Sequence, residues 1–297
     1  MAGYCKDCFT GTVQSDVVLS GIEQDIHGLP TYVTGPEAGT KPRGTIVVLP
    51  DAFGWTLPNT RSLADAYARR VQATVYLPDF MNGHALPEWT IQGMEYTPPA
   101  TDFFVLRAIK RAWAILQVIP ALLLFIYTCR MSVGTPRIRA FLGAVRVAEP
   151  GTKVGVAGFC WGGYHAVVLT HDIPQNKTAV DGKGEGYPLV DCAFSAHPGL
   201  VKVPKDVQGV VQPLSMANGD DDEYMGREKM KLLKQVLEGK NEEQAAEVHE
   251  VVVYPGAKHG FANRADWHDP LHKEYRDKSQ DQAVRWFRKH FEAGSDD

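Results

Sequence analysis

The stretch from Lys153 to Gly163 constrains this chain more than any other. It reads Lys153-Val154-Gly155-Val156-Ala157-Gly158-Phe159-Cys160-Trp161-Gly162-Gly163, and an apolar, helix-compatible segment from Tyr164 to Leu169 follows. A short apolar run that ends in Gly-x-Cys-x-Gly and then turns helical predicts a buried strand, a sharp turn and a helix, with a thiol on the crest of the turn. Gly158 and Gly162 supply the small neighbours that such a turn needs. The helix N-terminus beside the sulfur has unpaired N–H groups and a positive dipole end, and both favour a thiolate. Taken alone, the pentapeptide also fits a buried structural cysteine at a glycine-rich turn.

Other strands fall into place around it. Thr45–Leu49 is β-branched, uncharged and followed by proline, the mark of a buried strand, and it leads into Asp51-Ala52-Phe53-Gly54-Trp55. Asn59 is placed to cap the next helix, with Leu63, Tyr67 and Val71 on one stripe and Arg69 and Arg70 in the last turn. Thr74–Leu77 is the next strand, so strand, helix and strand imply a right-handed parallel crossover. Further strands are expected at Leu189–Ala196, Val210–Ala217 and Val248–Tyr254, and helices at about 227–237 and 271–291. Residues 10–40 carry many Gly, Pro and Thr and read as short antiparallel strands or loops. This order predicts an α/β fold: a mostly parallel central sheet with helices on both faces, in one domain over 1–297, with a helical insertion near 101–147.

Composition narrows the function. A net charge of −4 with scattered Lys and Arg gives no electrostatic case for nucleic acid. The chain opens without a cationic and apolar leader, and five cysteines without framework spacing fit a reducing compartment, so a cytoplasmic location is expected. Cys5-Lys6-Asp7-Cys8 lacks a second ligand pair, so neither a metal nor any other cofactor is expected. The sequence says nothing of the oligomeric state.

Three reactive groups stand at three predicted strand ends: Cys160, then Asp220, then His259. A thiol must lose its proton to attack a carbonyl, an imidazole takes that proton near neutral pH, and a carboxylate fixes the imidazole tautomer. Asp221 and Asp222 adjoin Asp220, and any of the three could support His259; Asp220 is the candidate taken from the strand end. The Trp161 and Ala52 N–H groups are candidate oxyanion donors.

The elbow Gly158-Phe159-Cys160-Trp161-Gly162-Gly163, with Asp51-Ala52-Phe53-Gly54 before it and His259-Gly260-Phe261 after it, resembles the dienelactone hydrolase (carboxymethylenebutenolidase) family. Residues 51–61 add to that likeness, which runs over roughly 20–290. The resemblance implies an α/β-hydrolase fold, a Cys-Asp-His triad on Cys160, Asp220 and His259, and hydrolysis of a lactone or small carboxylic ester through a thioester. It also implies an acid near the resting thiol, at the place of Asp51, and a substrate-gripping arginine soon after the histidine. Here Asn263 holds the nearest matching position and Arg264 the next. Phe53, Trp55, His197, Phe261 and Arg264 are the candidate pocket residues. A hydrolase fold serving only as a binding or membrane-associated module is the competing expectation.

The segment Ala112–Cys129 motivates that alternative. It is uncharged between Lys110-Arg111 and Arg130, and it reaches the lower limit for crossing a bilayer, about 18 residues. Pro120 and Gln117 weaken a span. A helical cap packed over the pocket is expected ahead of a membrane- or partner-facing segment, and a further helix is expected over 135–147.

Overall fold

The computed structural model describes residues 11–13, 17–182, 184–266 and 269–292. The Cys5–Cys8 pair lies outside the described residues.

Eight strands form one sheet: β1 (Ile22–Ile26), β2 (Leu29–Thr34), β3 (Thr45–Leu49), β4 (Thr74–Pro78), β5 (Val154–Phe159), β8 (Cys192–Ala196), β9 (Leu214–Gly219) and β10 (His249–Tyr254). Their spatial order is β1-β2-β4-β3-β5-β8-β9-β10. β1 pairs antiparallel with β2, and β2 with β4; every other pairing is parallel. β6 (Lys177–Val180) and β7 (Gly184–Pro188) form a separate hairpin. The expected mostly parallel α/β-hydrolase sheet is therefore present, and the loop-rich N-terminal stretch supplies the antiparallel edge.

The helices are α1 (Pro58–Tyr67), α2 (Trp89–Glu95), α3 (Phe104–Thr128), α4 (Met131–Ala148), α5 (Trp161–Leu169), α6 (Lys205–Gln208), α7 (Arg227–Gln244) and α8 (Pro270–Glu292). Strand alternation sorts them onto two faces. Ile46 and Val48 of β3 join Leu63 and Tyr67 of α1 and Val284 and Phe287 of α8 in one core. Val47 and Leu49 point the other way, into a core with Phe141 and Leu142 of α4, Val167 of α5 and Leu233 of α7. Both faces are covered, which is why β3 and β5 read as unbroken apolar runs.

Two local expectations are corrected. Asn59 does not cap α1: its N-cap residue is Leu57, with Pro58 at the first helical position. The Asn59 amide instead donates to the carbonyls of Thr12 (2.9 Å) and Asn263 (3.0 Å), tying α1 to the loop after β10. The insertion is helical, but α3 is not a packed cap. Of its residues only Val118 is buried, and it contributes with Ala121, Leu122 and Phe125 to a small cluster over Phe53, Leu57, Leu86 and Ile91.

Candidate active site

Because β3, β5, β8, β9 and β10 run parallel, their C-terminal ends share one edge of the sheet. Each end carries a residue of interest: Asp51 after β3, Cys160 after β5, His197 after β8, Asp222 after β9 and His259 after β10. Ligands of open α/β sheets bind at this edge.

Cys160 precedes α5 with φ 50° and ψ −106°, a conformation that disfavours any residue with a Cβ. The turn is held by packing that leaves no room for side chains. A Cβ on Gly158 would lie 2.3 Å from the Gly162 carbonyl oxygen, and one on Gly162 would lie 2.0 Å from that of Leu49. Trp161 opens α5, so its N–H has no acceptor within the helix.

His259 is buried, and its Nδ1 lies 2.9 Å from Oδ2 of Asp222, with both side chains fully enclosed. The carboxylate bound to the histidine is thus Asp222 and not Asp220, a correction to the sequence expectation. β9 ends at Gly219, and the chain turns at once. Asp220 accepts a 2.5 Å bond from the Gly256 N–H and lies 3.5 Å from the Arg227 guanidinium; Asp221 is exposed. The chain bends back to the core two residues later, where Asp222 Oδ1 accepts from Tyr224 N at 2.8 Å and Met225 is buried. Burial of Met225 anchors this return of the chain to the core.

Cys160 and His259 both border the turn after β8. Cys160 N donates to the Ala196 carbonyl (3.3 Å) and its own carbonyl accepts from Gly199 N (3.0 Å). The His197 ring lies 5.0 Å from that of His259. Tyr224 also lies 5.0 Å from His259, and a Cβ on Gly199 would meet Tyr224 at 3.8 Å and the Cys160 carbonyl at 3.9 Å. His197 is fully buried among Phe159, Phe261 and His259. Burial, and then electrostatic coupling to His259 and Arg264, hold its imidazole well below the ordinary pKa. It is a neutral packing wall behind His259 rather than a pocket-lining group.

Among the described residues Asp51 makes no hydrogen bond to the Cys160 thiol, and its carboxylate is engaged elsewhere. It is fully buried; Oδ2 accepts from Asn263 Nδ2 (2.8 Å) and Arg264 Nε (2.7 Å), and Oδ1 from Phe53 N (3.0 Å). Arg264 is consequently neutralised, and its guanidinium also covers the Phe53 ring at 4.7 Å. Phe53 is a core residue under α3, and Trp55 packs against the α1 side with Arg61 stacked 4.8 Å away. Of the five expected pocket residues, Phe261 and Arg264 line the cleft beside His259, a space of about 360 Å³ that Glu95 and His272 also line. A larger groove of about 590 Å³ lies beside α4 and β6, away from these groups.

Sequence reasoning missed the coupling between the insertion and the elbow. The Trp161 indole N–H donates to the Cys129 carbonyl at 2.8 Å. A Cβ on Gly134 would lie 2.5 Å from the Trp161 ring. The junction of α3 and α4 therefore rests on the residue next to Cys160.

Residues 29–291 match the model of the dienelactone hydrolase family. The chain is 26% identical to the mouse carboxymethylenebutenolidase homolog, over 91% of each chain. It is 24% identical to the hydrolase pyvD of Aspergillus violaceofuscus, over 87% of this chain and 86% of that one. Among solved structures, a dienelactone hydrolase-type protein of Klebsiella pneumoniae superposes with a TM-score of 0.60 at 19% identity, covering 91% of this chain and 99% of the other. The dienelactone hydrolase of Anabaena variabilis does so at 0.52 and 14%, covering 92% and 98%. A chain with this sheet, this elbow and a family match over nearly its whole length is an α/β-hydrolase of carboxylic esters or lactones, and it belongs to the dienelactone hydrolase family.

Proposed function

We propose that the protein hydrolyses an uncharged lactone or small carboxylic ester with Cys160 as nucleophile, His259 as base and acid, and Asp222 as the carboxylate that orients His259. The observation that carries this reading is the enclosed His259–Asp222 pair on the same sheet edge as the strained Cys160.

With Nδ1 held by Asp222, proton transfer falls to Nε2. His259 takes the thiol proton and the thiolate adds to the substrate carbonyl carbon. The oxyanion that forms is met by the Trp161 N–H and, as second donor, by that of Ala52. Collapse expels the alkoxide, which takes the proton back from His259 and leaves an acyl thioester on Cys160. His259 then deprotonates water, the hydroxide adds to the thioester carbon, and the thiolate departs and is reprotonated as the acid leaves. For a lactone, alcohol and acid are one molecule.

Neutralisation of Arg264 by Asp51 supports the uncharged substrate: the arginine nearest the expected carboxylate-gripping position already has its anion. A screen of lactones, aryl esters and thioesters against wild type and Cys160→Ala tests the proposal. Turnover lost with Cys160→Ala, and an acyl adduct on Cys160 by intact mass, are expected. Wild-type turnover in Cys160→Ala refutes the mechanism.

A further inference from the structure

Helix α3 is 25 residues long, about 37 Å at 1.5 Å per residue. One side of it packs on the domain through Val118, Ala121, Leu122 and Phe125. The opposite side is apolar and open among the described residues. Ile109, Trp113, Leu116, Leu123 and Tyr127 recur at helical spacing on one stripe and are 54–69% exposed. A continuous apolar face of this size marks an interaction surface.

Charge identifies the occupant. The chain as a whole is acidic, at −4. Between Asp102 and Glu149, however, it has no acidic residue, while Arg107, Lys110, Arg111, Arg130, Arg137, Arg139 and Arg146 all fall there. Arg146 is consumed in a buried pair with Asp191, and Lys110 is paired with Asp102. Among the described residues Arg111 donates to the Tyr96 carbonyl, and Arg130 donates to the Tyr127 carbonyl and stacks on its ring, with no carboxylate paired to either. Exposed Arg107 adds to the first end of the helix. Along the helix axis these cations stand before and after the apolar stripe, Arg107 and Arg111 at its start and Arg130 just past its end, with Trp113 and Tyr127 toward its two ends. That is the pattern of a helix lying in the interfacial plane of an anionic bilayer.

A second copy of the chain fits poorly. Pairing two α3 stripes would bring together two cationic segments, each without an acidic residue between Asp102 and Glu149 to relieve the repulsion. A membrane-spanning helix fits no better, because the middle of α3 is packed onto Phe53 and Leu57 of the soluble domain.

We propose that the outer face of α3 docks this protein on the surface of an anionic lipid bilayer. Since the end of α3 supports Trp161 through the Cys129 carbonyl, docking sets the elbow close to the lipid, where apolar esters concentrate. That consequence rests on the hydrolase reading; the docking itself does not.

The test is co-sedimentation of the full chain with vesicles of phosphatidylcholine alone and of phosphatidylcholine with phosphatidylserine, beside turnover of a water-soluble aryl ester. Binding to the mixed vesicles is expected to weaken with salt. The double substitution Leu116→Glu and Leu123→Glu should lower the partition coefficient at least about tenfold. Arg107→Gln and Arg130→Gln should each lower it about fivefold on the anionic vesicles only. Soluble-ester turnover should be unchanged in all of these variants, which reports an intact fold. Failure of the wild type to sediment with either vesicle overturns the proposal, as does equal binding by the glutamate variant. A concentration-dependent dimer that the same glutamates dissolve, without vesicle binding, also overturns it and gives the face to a second copy. Absent soluble-ester turnover in a wild type that still binds vesicles would sink the hydrolase reading and leave the docking standing.

Discussion

Exchange of Asp222 for Asn separates the site seen here from the one the strand end suggests. The substitution is conservative in shape. Asn keeps the Oδ1 acceptor that closes the turn with Tyr224 N at 2.8 Å, so the loop after β9 should persist. What it removes is the negative charge facing His259 across a fully enclosed 2.9 Å bond. When His259 takes a proton, the imidazolium then lacks its counter-ion. Two unit charges about 4 Å apart interact by about 4 kcal/mol at an effective dielectric of 20. Part of this is returned by the remaining neutral hydrogen bond, worth about 1 kcal/mol. The barrier should rise by about 3 kcal/mol, or about two decades in kcat/KM at 1.36 kcal/mol per decade. The amide can also present its N–H to the ring and impose the wrong tautomer, which takes the loss toward the about 10⁴-fold seen in serine triads.

The control is Asp220→Asn. That carboxylate serves the Gly256 N–H and Arg227, so turnover should stay within about threefold while stability falls by about 1 kcal/mol. Steady-state rates on one soluble ester, with denaturation midpoints for each variant, complete the comparison. A large loss in Asp220→Asn with near-normal Asp222→Asn would refute the assignment, because no rearrangement of the loop short of refolding exchanges the two carboxylates.

Cys160→Ala should abolish turnover and Cys160→Ser should retain at most a weak remnant, since a hydroxyl needs a stronger base than a thiol; rates on the same ester decide this. Gly162→Ala should destabilise the chain by at least about 3 kcal/mol, because its Cβ would meet the Leu49 carbonyl oxygen at 2.0 Å and backbone cannot yield there; the denaturant midpoint reports it. Arg264→Ala strips the buried Asp51 carboxylate of its cation and should cost about 3–5 kcal/mol in the same assay. Burial holds His165 down to a pKa of about 3, so between about 6.5 and that value the unfolded chain binds a proton that the folded chain refuses. Its contribution is complete above the unfolded pKa and is lost as pH falls through this window, by about 2 kcal/mol at pH 5. A stability–pH slope unchanged by His165→Gln would contradict that linkage.

The sheet was legible because its parallel strands are buried on both faces and so carry uninterrupted apolar runs. The elbow was legible for a steric reason: only glycine fits at residues 158 and 162, and that requirement leaves a pattern in the sequence. Side-chain roles in the loops were less so. Three consecutive aspartates follow β9, and nothing local distinguishes the one that turns inward; the choice is made by where Gly256 draws Asp220 and where Met225 anchors the return. Asn59 looked like a helix cap because that is what asparagine does next to a helix start. Its partners, at residues 12 and 263, are remote in sequence and invisible to any local rule. The end of α3 under Trp161 is the same case, a contact made by topology and not by pattern.

The ion pair behind the site bears on substrate chemistry more directly than any pocket outline. A guanidinium that is to bind a substrate carboxylate must be electrically available, and a buried carboxylate at 2.7 Å removes that availability. The pair is not a loose surface contact that a ligand could compete away: both side chains are at most 1% exposed, and Asp51 is held further by Asn263 and the Phe53 N–H. Displacing Asp51 would leave a buried anion unpaired, at a cost near the whole binding energy of a small ligand. An anionic substrate would therefore have to find its cation elsewhere, in Lys258 at the rim of the cleft, where solvent weakens the attraction. The proposed preference for uncharged esters predicts that a neutral aryl ester is turned over faster than the same ester bearing a carboxylate on its acyl chain.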